Sequence, residues 1–215
     1  MDKRNEHLET LSEIRSLMER SSRFISLSGL SGVAAGIFAL LGAAMVYIYL
    51  GMIPFAHKKM YYVVAETTHK WGMDYMTFFF LDAAIVLLFA LLGGVFFTFR
   101  KAKQKGDKIG WDALSRRLVM SMVVPLVAGG IFCLGLIYHN EFGLVAPATL
   151  IFYGLACINA SKYTLKDIGN LGMLEVALGL VALFNVGYGL EFWAMGFGVL
   201  HIVYGVMMYY KYEKN

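Results

Sequence analysis

Residues 24–50 read FISLSGLSGVAAGIFALLGAAMVYIYL, without a single charged side chain. A helix needs about 20 predominantly apolar residues to cross a bilayer, since each residue adds about 1.5 Å. Five further apolar stretches follow in the 215-residue chain, at 76–99, 118–138, 144–161, 168–188 and 192–210. The sequence therefore predicts an all-α membrane protein, in which residues 24–215 form a bundle of six transmembrane helices.

The charged residues support this class and predict an orientation. Only 16% of the chain is charged, whereas about 25% is usual for a soluble domain. All but three of the 19 Lys and Arg residues fall before the first stretch or after the second, fourth and sixth. Basic residues concentrate on the cytoplasmic side of membrane proteins, so we expect both termini in the cytoplasm. The net charge of +4 then reflects topology, and we expect no nucleic-acid partner.

The N-terminal segment, residues 1–23, differs from the rest because it is rich in charge. Apolar residues recur in it every three or four positions, at Leu8, Leu11, Ile14 and Leu17. This spacing predicts an amphipathic helix on the cytoplasmic side. The apolar stretch that follows is longer than the roughly 7–15 residues of a signal-peptide core, so we expect no cleaved signal peptide.

An eight-residue pattern recurs in the odd-numbered spans. Residues 33–40 read VAAGIFAL, residues 127–134 read VAGGIFCL, and residues 176–183 read VALGLVAL. A basic residue stands ten positions before each valine, at Arg23, Arg117 and Lys166. The pattern predicts an internal repeat of three two-helix hairpins around a pseudo-threefold axis, and such repeats are common in transporters. The alternative is coincidence, because small and apolar residues recur in every membrane helix.

Glycines mark the predicted contacts between helices. Gly36, Gly130 and Gly179 occupy the same position of the repeat, and Gly32 lies one turn before Gly36. Small residues let membrane helices approach closely in lipid, where no hydrophobic force drives them together. We therefore predict a packing role for these four glycines and no chemical one.

Ionisable side chains within a membrane span are costly and commonly functional. Glu175, His201 and Asp82 lie in the fifth, sixth and second spans, and Asn185 lies at the edge of the Glu175 face. One hypothesis is an intramembrane proton or ion site, since histidine titrates near neutral pH. The alternative is a structural hydrogen bond between Glu175 and His201 that fixes helix register. Asp82 could instead reach the outer headgroups.

The long loop between the first two spans contains one weak metal signal. Glu66 and His69 have the spacing that places two side chains on one face of a helix for a metal ion, and solvated loop residues are the alternative. No sequence motif of a metalloprotease, a P-loop or a nucleophile elbow occurs in the chain. We therefore expect no cofactor and do not expect an enzyme.

Three classes of function remain open at this point. The repeat and the intramembrane ionisable residues favour transport, by a small transporter or channel for an ion, a proton or a small solute. A membrane scaffold, sensor or partner subunit is the alternative, and a membrane-embedded metal-dependent enzyme is the third. Besides the lipid bilayer, the expected partner is a second copy of the chain or another membrane protein.

Overall fold

The computed structural model describes residues 27–55, 68–105 and 113–214, and these residues are mainly helical. The helices are α1 (Gly29–Leu50), α2 (Tyr75–Lys105), α3 (Ala113–Tyr138), α4 (Val145–Ala160), α5 (Lys166–Leu183) and α6 (Gly189–Tyr212). A short 3-10 turn, Phe142–Leu144, precedes α4. The predicted all-α class is confirmed, whereas the predicted amphipathic helix at 1–23 lies outside the described residues.

Five of the described helices are long and apolar enough to cross a membrane: α1, α2, α3, α4 with its 3-10 turn, and α6. Helix α5 is the exception. It has 18 residues, ends at Leu183 and carries Lys166, Asp167 and Glu175. Five such helices fit an integral membrane protein. The predicted span at 168–188 corresponds to a shorter and more polar helix, and a count of six spans stays a prediction.

A small β-hairpin precedes α2. Strands β1 (His69–Lys70) and β2 (Met73–Asp74) pair antiparallel, and the two residues between them, Trp71 and Gly72, both have positive φ, as a tight hairpin loop requires. Asp74 then caps α2, because its Oδ1 accepts the backbone N–H of Thr77 at 2.7 Å. The end of the bundle that carries this hairpin is called the hairpin end below, and the opposite end the C-terminal end.

The helices pack side by side in the order α2, α1, α6, α5, α4, α3, and the first turn of α6 also contacts α4. Helices α2 and α3 follow one another in the chain, yet they stand at the two ends of this row. The bundle is therefore closed on the side of α1, α4, α5 and α6 and open between α2 and α3.

Glycines form the interface between α1 and α6. A Cβ atom built on Gly36 would lie 2.6 Å from the carbonyl oxygen of Gly198, and one built on Gly29 would overlap the carbonyl of Gly205. A Cβ on Gly32 would lie 3.3 Å from the Cα of Gly205. Non-bonded atoms do not pack at the shorter of these distances, so the two backbones touch where side chains are missing.

The interface between α4 and α5 has the same construction. A Cβ on Gly172 would lie 2.6 Å from the carbonyl oxygen of Gly154, and a Cβ on Gly179 would lie 2.9 Å from that of Pro147. Gly130 on α3 differs from Gly36 and Gly179, because nothing in the described chain lies within 4 Å of a Cβ built there. In the described chain, no other helix packs against α3 at this position.

Candidate functional site

Helices α5 and α6 bring Glu175 and His201 together inside the closed side of the bundle. Glu175 is 0% exposed and His201 is 6% exposed. Oε1 of Glu175 lies 3.4 Å from Nδ1 of His201. The two residues that sequence analysis singled out on different helices are thus direct neighbours in a site without access to solvent.

Both ring nitrogens of His201 have a hydrogen-bond partner. Nδ1 lies 3.0 Å from the carbonyl oxygen of Gly196, and Nε2 lies 2.7 Å from the hydroxyl of Tyr153 on α4. A carbonyl oxygen only accepts, so Nδ1 carries a hydrogen and donates it. The hydroxyl of Tyr153 donates to Nε2 when the ring is neutral and accepts from Nε2 when the ring is protonated. The same arrangement of atoms therefore accommodates both protonation states of His201.

A π-helical segment, Ala194–Leu200, places the Gly196 carbonyl within reach of His201. Single π-helical turns within α-helices occur frequently at functional sites. Gly196 also makes room for the acid, since a Cβ at this position would collide with Oε2 of Glu175 and with Leu150. The widened turn and the missing side chain thus create the space that the Glu175 carboxyl group fills.

The carboxyl group of Glu175 receives no hydrogen bond. Neither of its oxygens has a hydrogen-bond partner within the described part of the chain, because the Nδ1 hydrogen of His201 is directed to Gly196. A buried carboxylate without donors costs a large free energy unless a charge partner or a bound proton compensates it. A proton on Glu175 or a protonated His201 would each compensate this cost.

Aromatic rings connect this pair to a cavity near the hairpin end. The ring of Phe197 stacks on His201 with centroids 5.8 Å apart, and the ring of Trp193 lies 5.2 Å from that of Phe197. Trp193 in turn lines a cavity of about 290 Å³. Two aromatic side chains thus separate the buried pair from the open cavity.

Asp82, the third predicted ionisable residue, lines that cavity and not the Glu175–His201 site. Its side chain is half-buried, and Oδ2 would lie 3.2 Å from a Cβ built on Gly42 of α1. Among the residues that the structure describes, no hydrogen bond or ion pair to the Asp82 carboxylate is found. The structure therefore contains two separate acidic positions.

The remaining predicted site residues do not join either position. Asn185 lies beyond the end of α5 and donates from Nδ2 to the Val181 carbonyl at 2.9 Å. His69 is exposed in β1, and its predicted partner Glu66 lies outside the described residues. No group of three His, Cys, Asp or Glu side chains that could hold a metal ion occurs in the described ranges.

The C-terminal end carries a polar cluster that sequence analysis treated only as a topology signal. Lys101 of α2 is 4% exposed, donates to the carbonyl of Leu27 at 2.6 Å and pairs with Glu213 at 3.5 Å. The Glu213 carboxylate also accepts from the Ser28 hydroxyl and the Gly29 backbone N–H at the start of α1. This cluster ties α2, α1 and the end of α6 together.

Two residues of the buried site were missed from the sequence, Tyr153 and Gly196. Gly196 and Gly198 flank Phe197 shortly before His201, and a pair of glycines close to an intramembrane histidine is a detectable signal. Tyr153 gives no such signal, because a lone tyrosine in an apolar span is common. Only the packing of α4 beside α6 shows its role.

Comparison with known proteins identifies no relative: no family model, no curated protein and no solved structure matches the chain. The residues of the two acidic positions are therefore the basis for the function proposed below.

Proposed function

We propose that the protein is a small membrane transporter or channel in which Glu175 and His201 form a proton-binding site. The supporting observation is the fully buried Glu175 carboxyl group, which has no hydrogen-bond donor and lies 3.4 Å from the imidazole. Ionisable residues in this setting mark proton or ion pathways in membrane proteins. A group kept only for packing would be expected to have its hydrogen bonds satisfied.

The geometry supports a relay through the histidine ring. A proton that reaches Nε2 from the Tyr153 side produces an imidazolium. A tilt of the ring then redirects the Nδ1 hydrogen from the Gly196 carbonyl to Oε1 of Glu175, 3.4 Å away. Its transfer leaves the ring neutral with its hydrogen on Nε2. The net result is that one proton has moved from the Tyr153 side to the carboxyl group, and the ring has changed from the Nδ1–H to the Nε2–H tautomer.

The proposal is tested by proton flux into proteoliposomes under an imposed pH gradient, read with an internal pH dye. We expect flux above that of protein-free vesicles, and a loss of at least tenfold in Glu175→Gln, which keeps the shape of the side chain. Glu141→Gln, at an exposed position of the hairpin end, is the matched control and should retain the flux. Equal flux in Glu175→Gln and the wild type would contradict the proposed site.

The alternative function is a scaffold or partner subunit, in which the same pair fixes the register of α5 against α6. Its supporting observation is the close fit of Glu175 against Gly196. This reading predicts no flux above protein-free vesicles in the wild type. It also predicts that Glu175→Gln, which can donate as well as accept, folds as stably as the wild type.

For the topology we propose six spans, with α5 included and both termini in the cytoplasm. The asymmetric distribution of Lys and Arg supports this orientation. An impermeant maleimide applied to intact cells should label Ala65→Cys in the loop before α2 and should not label Lys105→Cys at the end of α2. The reverse labelling pattern would contradict the orientation.

We further propose that the chain is built from an internal repeat. Its support is a correspondence between the two glycine interfaces, residue for residue. Gly29 and Gly36 of α1 correspond to Gly172 and Gly179 of α5 at one constant offset, while Gly205 and Gly198 of α6 correspond to Gly154 and Pro147 of α4 at another. The corresponding residues make corresponding contacts. A third interface of this kind, between α2 and α3, would complete the threefold arrangement and would place Gly130 against α2.

A further inference from the structure

The cavity near the hairpin end lies between α2 and α3 on one side and the closed side of the bundle on the other. Its walls come from α1, α2, the end of α3, the start of α4 and the start of α6. Its volume of about 290 Å³ is at the lower end of the range for small-molecule sites, about 300–1,000 Å³. The cavity is therefore large enough for a ligand with the size of a single aromatic ring and a small substituent.

The walls are mainly apolar and aromatic. Rings from three elements line them: Tyr75 and Phe79 of α2, Phe142 of the 3-10 turn, and Trp193 of α6. Apolar walls with few polar groups are typical of sites that bind organic ligands. A hydrated metal ion fits poorly, because hard cations need about six or more oxygen ligands, and such walls do not supply them.

Asp82 is the single charged side chain among the described residues that line the cavity. No lysine or arginine side chain of the lining balances it. An anion would be repelled by this carboxylate, and a neutral hydrocarbon would leave it without a partner. A cation both pairs with the carboxylate and gains from the faces of the surrounding rings, which attract positive charge.

We propose that this cavity binds a small organic cation, such as an aryl-substituted ammonium, whose charge pairs with Asp82 and whose apolar part contacts the aromatic walls. As the substrate site of a transporter, this assignment rests on the function proposed above. As a binding site it stands by itself, because Trp193 and Phe197 separate it from Glu175 and His201.

The test is equilibrium binding of radiolabelled benzyltrimethylammonium to the detergent-solubilised full-length protein. We expect saturable binding to the wild type, at least tenfold weaker binding to Asp82→Asn, and retained binding to Asp82→Glu. Glu141→Gln, which removes an exposed carboxylate at the same end of the bundle, is the matched control and should bind as the wild type does. Size-exclusion profiles and helical content establish that each variant is folded.

A neutral competitor distinguishes recognition of the positive charge from non-specific hydrophobic binding. Neopentylbenzene has the shape of benzyltrimethylammonium with carbon in place of nitrogen, and we expect it to compete at least tenfold more weakly. No saturable binding to the wild type, unchanged affinity in Asp82→Asn, or equal competition by neopentylbenzene would each overturn the proposal. Cation binding and proton flux are measured separately, so failure of the proton site and failure of this site give different results.

Discussion

The closed side of the bundle and its open side are built differently. Within the spans of α1 and α4, 39% and 33% of the residues are buried, against 11% in both α2 and α3. Backbone contact at glycines holds the closed side together, whereas α2 and α3 each pack along one neighbouring helix. Each side carries one acidic position: Glu175 is sealed inside the closed side, and Asp82 faces the cavity beside the open one.

Under the two proposals made above, the two acidic residues of the bundle bind different ligands. A proton needs no cavity, because it moves along hydrogen bonds, and a sealed carboxyl group beside a histidine is sufficient for it. An organic cation needs volume and access, which the Asp82 position has. The predictions below test whether the two sides differ in stability and in chemistry as this comparison requires.

The largest expected effect on stability comes from the ion pair that ties α2 to the closed side. Lys101→Met removes the partner of Glu213 within a nearly buried cluster, and breaking a buried pair costs about 3 kcal/mol or more. Lys103→Met, on the same helix but exposed, should cost little. Thermal unfolding of the two variants in detergent measures the difference, and equal melting temperatures would show that the cluster does not hold α2.

Alanine substitutions at Gly36, Gly179 and Gly130 test whether the closed side depends on close backbone contact and α3 does not. Gly36→Ala and Gly179→Ala place a methyl group against the backbone of the facing helix, and overpacking of this kind costs about 1–3 kcal/mol. Gly130→Ala meets open space and should be neutral or stabilising, by up to about 1 kcal/mol, because alanine favours helix. The measurement is chemical or thermal unfolding in detergent.

The same glycine-to-alanine substitutions also test the proposed internal repeat. If α1 and α5 are copies of one unit, Gly36→Ala and Gly179→Ala should destabilise by similar amounts. Destabilisation by Gly130→Ala equal to theirs would mean that α3 has a packing partner that the described chain does not show. No effect at Gly36 or Gly179 would remove the support that these contacts give to the repeat.

The length of the apolar stretches predicted the helices well, because length and hydropathy are properties of contiguous residues. The spans at 76–99 and 118–138 lie within α2 and α3. The hypothesis that Glu175 and His201 are neighbours rested on the cost of placing an ionisable side chain in a membrane span. Two such side chains on adjacent helices reduce this cost when they form a hydrogen bond with each other. The hydroxyl of Tyr153 and the π-helical turn at Gly196 depend on how α4 and α6 pack, and no contiguous stretch of sequence encodes that packing.

The gap between α2 and α3 was also beyond sequence analysis. Gly130 shares its repeat position with Gly36 and Gly179, and the pattern alone assigns all three the same packing role. The order of the helices in the bundle decides the outcome, because only α1 and α5 have a facing helix at that position. The sequence shows a glycine at all three positions, but it does not show which of them packs against another helix.

The smallest expected effect concerns the cap of α2. Hydrogen bonds from the backbone N–H and the hydroxyl of Thr77 hold the pKa of Asp74 below its usual value of 3.8. A lowered folded pKa means that the carboxylate stabilises the cap above the unfolded value and that this contribution is lost as the pH falls through the folded one. The protection factor of the amides in the first turn of α2, which corrects for the intrinsic pH dependence of hydrogen exchange, should therefore fall on strong acidification in the wild type. In Asp74→Asn the protection factor should be lower at neutral pH and respond less to acid, and an equal acid response in both proteins would contradict the cap.

Infrared difference spectroscopy tests directly whether the buried Glu175 carboxyl group binds and releases a proton. A protonated carboxylic acid has a carbonyl stretching band that its carboxylate lacks. We predict a band that appears and disappears reversibly as the pH is lowered and raised. The band should be absent in Glu175→Gln and unchanged in Glu141→Gln. A spectrum in which Glu175→Gln removes no pH-dependent band would contradict proton binding at Glu175.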